Sequence, residues 1–457
     1  MESGIDEMLS AHRAFFSSGA TRPAPFRLEA LRRLRQVLRD HEKALCEALR
    51  EDLHKSESET YLTEIGPVLG EIGDHIRHLK RWMRGRTVPT PWTMMPSRSR
   101  IEPEPLGTAL IVAPWNYPVQ LLLSPLAGAL SAGCCAVLKS SPLVPRTEAV
   151  LAGIVAAAFD PSHVSFVKGG ADRVTALLER RFDYIFFTGS PDFGRVVMEA
   201  ASRHLTPVTL ELGGKSPCIV GADADIPVAA RRIVWGKLLN AGQTCIAPDY
   251  LLVHERCRDR LVAEMERTVR AFYGPDPRQS PDYPRIVTPQ AAQRLEELIR
   301  TSGGKVLFGG ETDPSARYVA PTLIADPDDD SPLMTREIFG PVLPVKTFAE
   351  IGEAIGYVNA REKPLALYYF GRRDEARRVL RSTSSGGACV NDTVMHIANR
   401  RLPFGGVGRS GIGSYHGRLT FEAFSHLRAV VRAPARPDIP LRYPPFRRPG
   451  LFRRLFG

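Results

Sequence analysis

The sequence has no long apolar run, few cysteines and no leader-like start. No stretch approaches the ~18 uncharged apolar residues that a membrane-spanning helix needs. The first residues include Glu2, Asp6 and Glu7, and they lack the basic start and apolar centre of a signal peptide. We therefore expect a cytoplasmic protein.

The cysteines bear on two possibilities, a disulfide framework and a zinc site. The seven cysteines are an odd number and include no Cys-x-x-Cys pair, which argues against a secreted disulfide framework and against a zinc site. His75 and His78 could share a helix face, but no second ligand pair lies near them in the sequence. We expect both histidines on the surface and predict no bound metal.

The formal net charge of +11 raises the question of nucleic-acid binding. More than half of this excess lies from Arg432 onward, where seven arginines face Asp438 alone. The remaining charge is scattered, and the sequence shows no interleaved aromatic platform or nucleic-acid motif. We predict no nucleic-acid partner.

The first part of the chain has helical periodicity. Leucines from Leu28 to Leu49 recur at three, four or seven residues, which predicts one amphipathic helix from Phe26 to Leu53. A second helical stretch runs from about Ser58 to Met83. Five prolines between Thr87 and Pro105 exclude regular helix there, so this segment is interpreted as a bridging arm.

Short β-like runs then alternate with helical ones. Strands joined by single helices are parallel with right-handed crossovers, which predicts an open doubly wound sheet that binds nucleotides at the carboxyl ends of its strands. The predicted strands are Ala109 to Val112, Ala136 to Lys139, His163 to Val167, Tyr184 to Phe187 and Val208 to Leu212. The predicted helices are Pro118 to Ser131, Val144 to Phe159, Ala171 to Arg180 and Asp192 to Ser202.

The turn from Gly189 to Gly194 follows one of these strands and opens a helix. Backbone N–H groups and the helix dipole can face a pyrophosphate there. The turn differs from the usual Gly-x-Gly-x-x-Gly pattern, and a glycine-flanked turn is common in any α/β protein. It becomes a phosphate-site candidate through its position.

The strongest chemical signal is Gly242-Gln243-Thr244-Cys245, which follows Glu211 at a predicted strand end. A cysteine thiolate is a nucleophile, but it needs an environment and a base to act near neutral pH. Cys245 alone would be interpreted as a buried structural cysteine. Asn116 follows the predicted strand Ala109 to Val112, and its side-chain amide could donate to a developing oxyanion. The three residues together suit covalent chemistry on a carbonyl.

At this point the sequence resembles the aldehyde dehydrogenase superfamily, from roughly Ala24 to His426. Six motifs appear in the order and approximate spacing of that superfamily: Trp115-Asn116-Tyr117-Pro118, Phe187-Thr188-Gly189-Ser190, Leu210-Glu211-Leu212-Gly213-Gly214-Lys215, Gly242-Gln243-Thr244-Cys245, Glu337-Ile338-Phe339-Gly340-Pro341 and Pro403-Phe404-Gly405-Gly406. Three more resemble the class 3 branch, which handles aliphatic and aromatic aldehydes: Cys245-Ile246-Ala247-Pro248-Asp249-Tyr250, Ser384-Ser385-Gly386-Gly387 and Val394-Met395-His396.

The resemblance implies an α/β fold of the aldehyde dehydrogenase type, with two doubly wound parallel-sheet domains and a small β arm for oligomerisation. The expected division is a helical lead (1–86) that belongs to the cofactor domain, the arm (87–105), a dinucleotide-binding domain (106–212), a catalytic domain (213–390), a return to the cofactor domain and the arm (391–431) and a basic, proline-rich tail (432–457). Thr87 to Pro105 and Ser414 to Val431 are expected to pair into the arm. Exposed strand edges invite another chain, so we expect a homodimer.

The resemblance also implies site roles and NAD or NADP as the cofactor. Cys245 is the expected nucleophile, Asn116 an oxyanion donor and Glu211 the deacylation base, with Glu337 left open as a second candidate base. The expected cofactor-binding residues are Lys139, Thr188, Gly189, Ser190, Gly194, Leu212, Glu337 and Phe339. The expected substrate-pocket residues are Tyr117, Thr393 and His396.

One departure from the superfamily bears on the cofactor. A glutamate often stands three residues after the strand-end lysine and bonds the 2′-hydroxyl of the adenosine ribose, but here Pro142 follows Lys139 at that spacing. The carboxylate that would repel a 2′-phosphate is missing, so we expect NADP to be accepted at a rate comparable with NAD.

Three alternatives remain open. A CoA-acylating dehydrogenase would share the cysteine chemistry, but Glu211 disfavours it. An esterase without a cofactor is disfavoured by Lys139 and Glu337. A non-catalytic structural protein on the same fold is disfavoured by the intact Cys245, Glu211 and Asn116.

The tail combines basic and apolar residues, since Leu451, Phe452, Leu455 and Phe456 bracket Arg453 and Arg454. One interpretation is a weak, reversible contact with an anionic membrane surface, which would make the protein peripheral to a membrane. The other is a tail that packs on its own or the partner subunit.

Overall fold

A computed structural model describes residues 2–438, 443–445, 450 and 453 of the chain. Within these residues the α-helices are α1 Glu2–Ser17, α2 Ala24–Asp40, α3 Glu42–Leu53, α4 Glu57–Thr60, α5 Gly66–Met83, α6 Pro118–Ala132, α7 Pro145–Ala158, α8 Ala171–Leu178, α9 Pro191–Ser202, α10 Ile226–Leu238, α11 Arg258–Tyr273, α12 Pro289–Arg300, α13 Pro332–Thr335, α14 Ile351–Asn359, α15 Arg373–Ser382 and α16 Arg418–Ala423. A single π-helical turn, Tyr61–Ile65, joins α4 to α5.

The strands of the same residues form four sheets. They are β1 Arg86–Val88, β2 Arg98–Pro105, β3 Thr108–Val112, β4 Cys135–Lys139, β5 Val164–Val167, β6 Tyr184–Gly189, β7 Val208–Leu212, β8 Pro217–Val220, β9 Tyr250–His254, β10 Lys305–Phe308, β11 Thr312–Asp313, β12 Tyr318–Val319, β13 Thr322–Ala325, β14 Val342–Phe348, β15 Ala366–Phe370, β16 Gly387–Val390, β17 Gly411–Ile412 and β18 Ser425–Arg432.

The first large sheet has the order β17-β7-β6-β3-β4-β5. Its strands are parallel except β17, which runs antiparallel to β7 and pairs Gly411 with Glu211. The five strands predicted from the sequence are confirmed. Each is a short apolar run flanked by a helix, which is why the sequence was sufficient to predict it. The chain winds outward in opposite directions from β3, so the carboxyl ends of β3 and β6 form a topological switch point.

The helices beside this sheet follow simple local rules. The strand Thr108–Val112 is buried along its whole length, and α6 behind it is buried as well. Pro118 stands at the start of α6, where its missing N–H costs nothing, and Gly133 with φ 90° ends it. The helices α2 and α5 pack against α6, which attaches the start of the chain to this sheet.

The second large sheet has the order β10-β13-β14-β9-β8-β15-β16 and is parallel except for β10. A separate three-stranded antiparallel sheet joins β1, β2 and β18, with Ser425 opposite Pro105 and Arg432 opposite Arg98. The predicted pairing of the two arm segments is therefore observed, although 418–423 is helix. The antiparallel edge strands β10 and β17 were not predicted.

One predicted helix is wrong. The single helix from Phe26 to Leu53 is two helices, because the backbone of His41 leaves the helical region at φ −103° and ψ 7°. The apolar spacing continues across the break, since Leu38 and Leu45 are seven residues apart and both fully buried, so periodicity gave no sign of it.

None of the helices in residues 2–438 is long and apolar enough to cross a membrane.

His75 is fully buried rather than on the surface. Its Nε2 lies 3.1 Å from Glu71 Oε1 and its Nδ1 lies 2.7 Å from Ser131 Oγ. These partners satisfy both ring nitrogens, which is why α5 can turn this polar residue toward α6. His78 is half-buried beside Asp74.

Candidate active site

The carboxyl edge of the first sheet faces a cavity of about 390 Å³. Cys245, Glu211, Tyr117, Thr188 and Leu212 all line it, so residues far apart in sequence meet in one place. Most of the remaining wall is apolar: Leu62, Leu121, Trp235, Leu239, Ile246, Leu365, Val394, Met395, Ile397 and Phe404.

The loop that carries Cys245 is fixed by its own backbone. Gly242 has φ 76°, and a Cβ there would lie 2.2 Å from the carbonyl oxygen of Gly340, so only glycine fits. Gln243 accepts a hydrogen bond from the Val287 amide at 2.9 Å and donates to the Asn240 carbonyl at 2.9 Å. The loop is therefore held in one conformation before any ligand binds.

Burial governs the acidity of the Cys245 thiol. Burial, followed by the charges of Glu337 and Glu211, raises the pKa of Cys245 to about 12. Burial raises the pKa of Glu211 well above its usual range, and burial together with Asp249 raises the pKa of Glu337 to about 8. Because the thiolate is the nucleophile, a thiol with a raised pKa needs a base to form it.

Glu211 lines the same cavity as Cys245. It is the penultimate residue of β7, only 3% of it is exposed, and both of its carboxyl oxygens are buried without a hydrogen-bond partner among the described residues. A buried carboxyl without partners costs stability, which points to a functional reason for its place.

Asn116 faces the cysteine loop. Its Nδ2 donates to the carbonyl oxygen of Gln243 at 3.0 Å, and its own carbonyl oxygen accepts from Lys55 Nζ at 2.9 Å and from Asn240 Nδ2 at 2.8 Å. A side-chain amide has two N–H donors, and this bond uses one of them, but Asn116 is not among the residues that line the cavity. Lys55, Asn240 and Gln243 were not assigned structural roles from the sequence, because their partners lie up to 127 residues away.

The predicted phosphate turn lies at the switch point. Gly189 ends β6, and Ser190 caps α9 by accepting a hydrogen bond from the Phe193 amide at 3.3 Å. A Cβ on Gly194 would lie 2.7 Å from Leu212 Cδ2, so glycine lets the helix approach the sheet closely. In the first turn of α9, Pro191 has no N–H and the Phe193 and Gly194 amides both bond Ser190, so only the Asp192 amide and the helix dipole remain for a pyrophosphate.

The remaining cofactor candidates fit a dinucleotide as well. Lys139 ends β4, bonds the Ser140 carbonyl and lies 3.8 Å from Glu148 Oε1. Glu337 Oε1 is a buried acceptor without a partner among the described residues, which suits a ribose hydroxyl. The Phe339 ring packs edge-on against Trp115, with centroids 5.5 Å apart, next to the turn that carries Asn116.

Of the three predicted substrate-pocket residues, Tyr117 lines this cavity, and Thr393 and His396 do not. Tyr117 lines the cavity, and its hydroxyl lies 2.5 Å from Thr244 Oγ1. Thr393 is fully buried and donates to the Arg232 carbonyl at 2.6 Å. His396 stacks behind Phe404, with centroids 5.9 Å apart, and it is Phe404 that faces the cavity. The neighbours Val394, Met395 and Ile397 line the wall instead.

The carboxyl edge of a doubly wound sheet thus faces a cavity that contains a cysteine and a buried carboxyl, an arrangement that suits an oxidoreductase acting on carbonyl groups. The model of the aldehyde dehydrogenase family matches residues 2–430, and the chain belongs to that family. It is an enzyme that oxidises aldehydes to carboxylic acids.

Three known proteins illustrate the similarity. The chain is 43% identical over 444 residues to the 4,4'-diaponeurosporen-aldehyde dehydrogenase of Staphylococcus aureus, which covers 97% of each chain. It is 44% identical over 447 residues to the dimeric NADP-preferring aldehyde dehydrogenase of the dog, covering 97% of this chain and 98% of the relative. The substrate-bound structure of Staphylococcus aureus AldH matches with a TM-score of 0.97 and 42% identity, covering 99% of each chain.

Proposed function

We propose that the protein oxidises hydrophobic aldehydes, aliphatic of medium or long chain or aromatic, through a covalent adduct on Cys245. The observation that carries this is the cavity itself, which contains Cys245 and Glu211 in a wall that is otherwise largely apolar. Tyr61, Leu62 and Met395 line the cavity and are 46%, 58% and 46% exposed, so its apolar wall continues to the surface. A hydrophobic tail can enter there.

The first chemical step belongs to Cys245 and Asn116. The Cys245 thiolate attacks the aldehyde carbon, and the carbonyl oxygen becomes an oxyanion. The free N–H of Asn116 and the backbone N–H of Cys245 stabilise that charge, a contact typically worth about 2.7 to 4 kcal/mol per donor. Loss of hydride from the adduct leaves a thioester on Cys245.

The second step belongs to Glu211. It takes a proton from a water molecule, which attacks the thioester carbon and displaces the Cys245 sulfur. The acid is released and the cysteine is regenerated. Glu337 is the second candidate base, since burial raises its pKa to about 8.

NAD or NADP supplies the hydride acceptor when bound. Lys139, Thr188, Gly189, Ser190, Gly194, Leu212, Glu337 and Phe339 would hold it. The NADP preference named for the dog relative supports NADP as one of the two cofactors. The protein contributes position and charge rather than redox chemistry of its own.

A rate profile tests the substrate class. Each buried methylene is worth about 0.8 kcal/mol, so kcat/KM is expected to rise about fourfold per added CH₂ until the cavity is filled. The assay follows reduced cofactor and the acid product with aliphatic aldehydes of increasing length and with aromatic aldehydes. A flat profile across chain lengths would contradict the hydrophobic assignment. Hydrolysis of an ester, with no cofactor reduction from any of the aldehydes, would favour an esterase.

The same chain is proposed to form a homodimer through the arm. The strand β18 is an edge of the three-stranded sheet, and its Leu427 and Val431 are 43% and 51% exposed. An exposed edge with apolar side chains favours pairing with a second chain. Val431→Asp should shift the mass in light scattering from dimer to monomer. Leu205→Asp, at a site that is 90% exposed on another surface, should not.

The proposal also covers the cellular location of the protein and the role of its C-terminal tail. All seven cysteines are free thiols, which supports a reducing cytoplasm. Leu451, Phe452, Leu455 and Phe456 lie outside the described residues, so the membrane hypothesis is supported by composition alone. Co-sedimentation with anionic vesicles at low salt, comparing the full chain with one truncated after Arg448, tests it. Equal binding by both chains, or by neither, would contradict it.

A further inference from the structure

One side of the cavity wall is polar. Most of the residues on that side have no role in the site described above. Glu71, Tyr415 and His416 line the same cavity as Cys245 and Glu211. Each has a buried atom with no hydrogen-bond partner among the described residues: Glu71 Oε2, Tyr415 Oη and His416 Nδ1. Their exposed fractions are 2%, 0% and 5%. Unpartnered polar atoms in a buried cavity are the usual partners of ordered water.

The fold places these atoms beside Glu211. The short strand β17 pairs Gly411 with Glu211 and Ile412 with Leu210, so the chain that follows it runs across β7. Tyr415 lies in that segment, and its backbone pairs with Phe404. Tyr415 lines the same cavity as Glu211, Cys245 and Glu71, and after burial their charges raise the pKa of its hydroxyl.

Glu71 is fixed at the other end by three hydrogen bonds. Its Oε1 accepts from the Gly417 amide at 2.6 Å, from Thr420 Oγ1 at 3.0 Å and from His75 Nε2 at 3.1 Å. Burial alone would raise the pKa of Glu71, but the hydrogen bond from His75 and the charges of His75 and His416 lower it to about 2. Its second oxygen, Oε2, stays available to bind water.

We propose that Tyr415, Glu71 and His416 hold a chain of water molecules that reaches Glu211 and supplies the water that hydrolyses the thioester. This rests on the proposed function of Cys245 and Glu211. The reason for such a device is the cavity's own chemistry. A hydrophobic acyl chain that fills the apolar wall displaces water from it, and hydrolysis then depends on water held along the polar side.

The step balances without a further reagent. A water oxygen bonds to the thioester carbon, one water proton passes to Glu211, and the carbon–sulfur bond breaks. The Cys245 thiolate leaves with the electron pair, and the acid keeps the remaining water proton. Glu211 returns its proton through the water chain to the thiolate or to solvent. Tyr415, Glu71 and His416 act through water and are positioning residues.

Tyr415→Phe is the sharpest variant, because it removes only the hydroxyl. The ring contacts Phe186, Phe404 and His416 at centroid distances of 5.1, 5.6 and 4.5 Å, and phenylalanine preserves them. Tyr184→Phe is the matched control. Tyr184 is buried in the same domain, but its hydroxyl bonds Thr209 Oγ1 at 2.6 Å and does not line the cavity.

The acyl-enzyme is made without cofactor, from p-nitrophenyl acetate or p-nitrophenyl decanoate, since an activated ester acylates a thiolate directly. Mass spectrometry of the Cys245 peptide then measures adduct decay after excess ester is removed. In Tyr415→Phe we expect decay of the decanoyl adduct to slow about tenfold or more, with a smaller effect on the acetyl adduct and unchanged acylation. The solvent deuterium isotope effect on decay should change as well.

Several results would overturn the proposal. They are equal decay in Tyr415→Phe, wild type and Tyr184→Phe, an equal effect on both acyl lengths, or slowed acylation with unchanged decay. Glu71→Gln provides a second variant with the same expected preference for the long adduct. If the wild type formed no adduct on Cys245, the proposed function itself would fail, which is a different outcome from unchanged decay in the variant.

Discussion

Lys55 and Glu64 form a fully buried ion pair, with Lys55 Nζ 2.7 Å from Glu64 Oε1. Lys55 also donates to the carbonyl oxygen of Asn116, and Glu64 Oε2 accepts from the Val119 and Gln120 amides at 3.1 Å each. The pair thus clamps the turn between β3 and α6. The position of the oxyanion donor Asn116 depends on two charges that never meet solvent.

Lys55→Met should destabilise the protein by about 3 to 5 kcal/mol, because it leaves the Glu64 carboxylate buried without its partner. The measurement is urea unfolding of the variant beside wild type. Lys43→Met is the control, since Lys43 lies 3.9 Å from Glu47 in a pair whose side chains are 90% and 65% exposed. Exposed pairs contribute little. Equal unfolding midpoints for all three proteins would show that the buried pair is not a clamp.

The sequence was sufficient for the first sheet because its strands are isolated runs such as Thr108–Val112, and their burial follows from hydropathy alone. It was insufficient where long-range contacts decide. Nothing near Lys55 announces a partner at Asn116, and nothing near Tyr415 announces a place beside Glu211. His396 fits the family motif, yet the stacking of Phe404 in front of it removes it from the cavity wall.

Glu211→Gln should separate the two halves of the reaction. Glutamine keeps the shape of the side chain but cannot take a proton from water. We expect a burst of reduced cofactor of about one equivalent per active site, followed by turnover slowed about a hundredfold. Rapid-mixing absorbance at 340 nm measures both phases.

The matched variant Cys245→Ser should show no burst, because a hydroxyl is a much poorer nucleophile without a dedicated base. Cofactor binding, measured by fluorescence, should persist in it. Near-normal steady-state turnover in Glu211→Gln and Cys245→Ser would contradict the assigned roles.

The raised pKa of Cys245 predicts slow alkylation of the free enzyme at neutral pH. Because burial and the charges of Glu337 and Glu211 raise it to about 12, the reactive thiolate fraction should grow about tenfold per pH unit from pH 7 to pH 10. Glu337→Gln removes a negative charge that raises the pKa of Cys245. In this variant the pKa of Cys245 should therefore fall, and alkylation at pH 9 should be faster. Iodoacetamide labelling of the Cys245 peptide measures this. A rate that levels off below pH 8 would contradict the raised pKa.

Cofactor choice depends on the chain after β4. Pro142 is exposed three residues after Lys139, and the nearby carboxyl of Glu148 lies 3.8 Å from Lys139 Nζ, so a positive charge offsets it. With no uncompensated carboxylate at residue 142, a 2′-phosphate meets no like charge there. We expect kcat/KM for NADP to lie within about tenfold of that for NAD, and a preference for NAD above about a thousandfold, or ~4 kcal/mol, would contradict this.

Pro142→Glu should restore discrimination against NADP. It places a carboxylate at the position where the superfamily that the sequence resembles often carries a glutamate. The expected result is a fall in kcat/KM for NADP of about tenfold or more, since like-charge repulsion of ~1.4 kcal/mol or more is a tenfold effect, with NAD nearly unchanged. Leu143→Glu is the control, because Leu143 is 44% exposed and its replacement adds the same charge one residue away. Initial rates with a saturating aldehyde and varied cofactor measure both variants. Equal losses in Pro142→Glu and Leu143→Glu would show that net charge, and not a specific contact with the ribose phosphate, sets the preference.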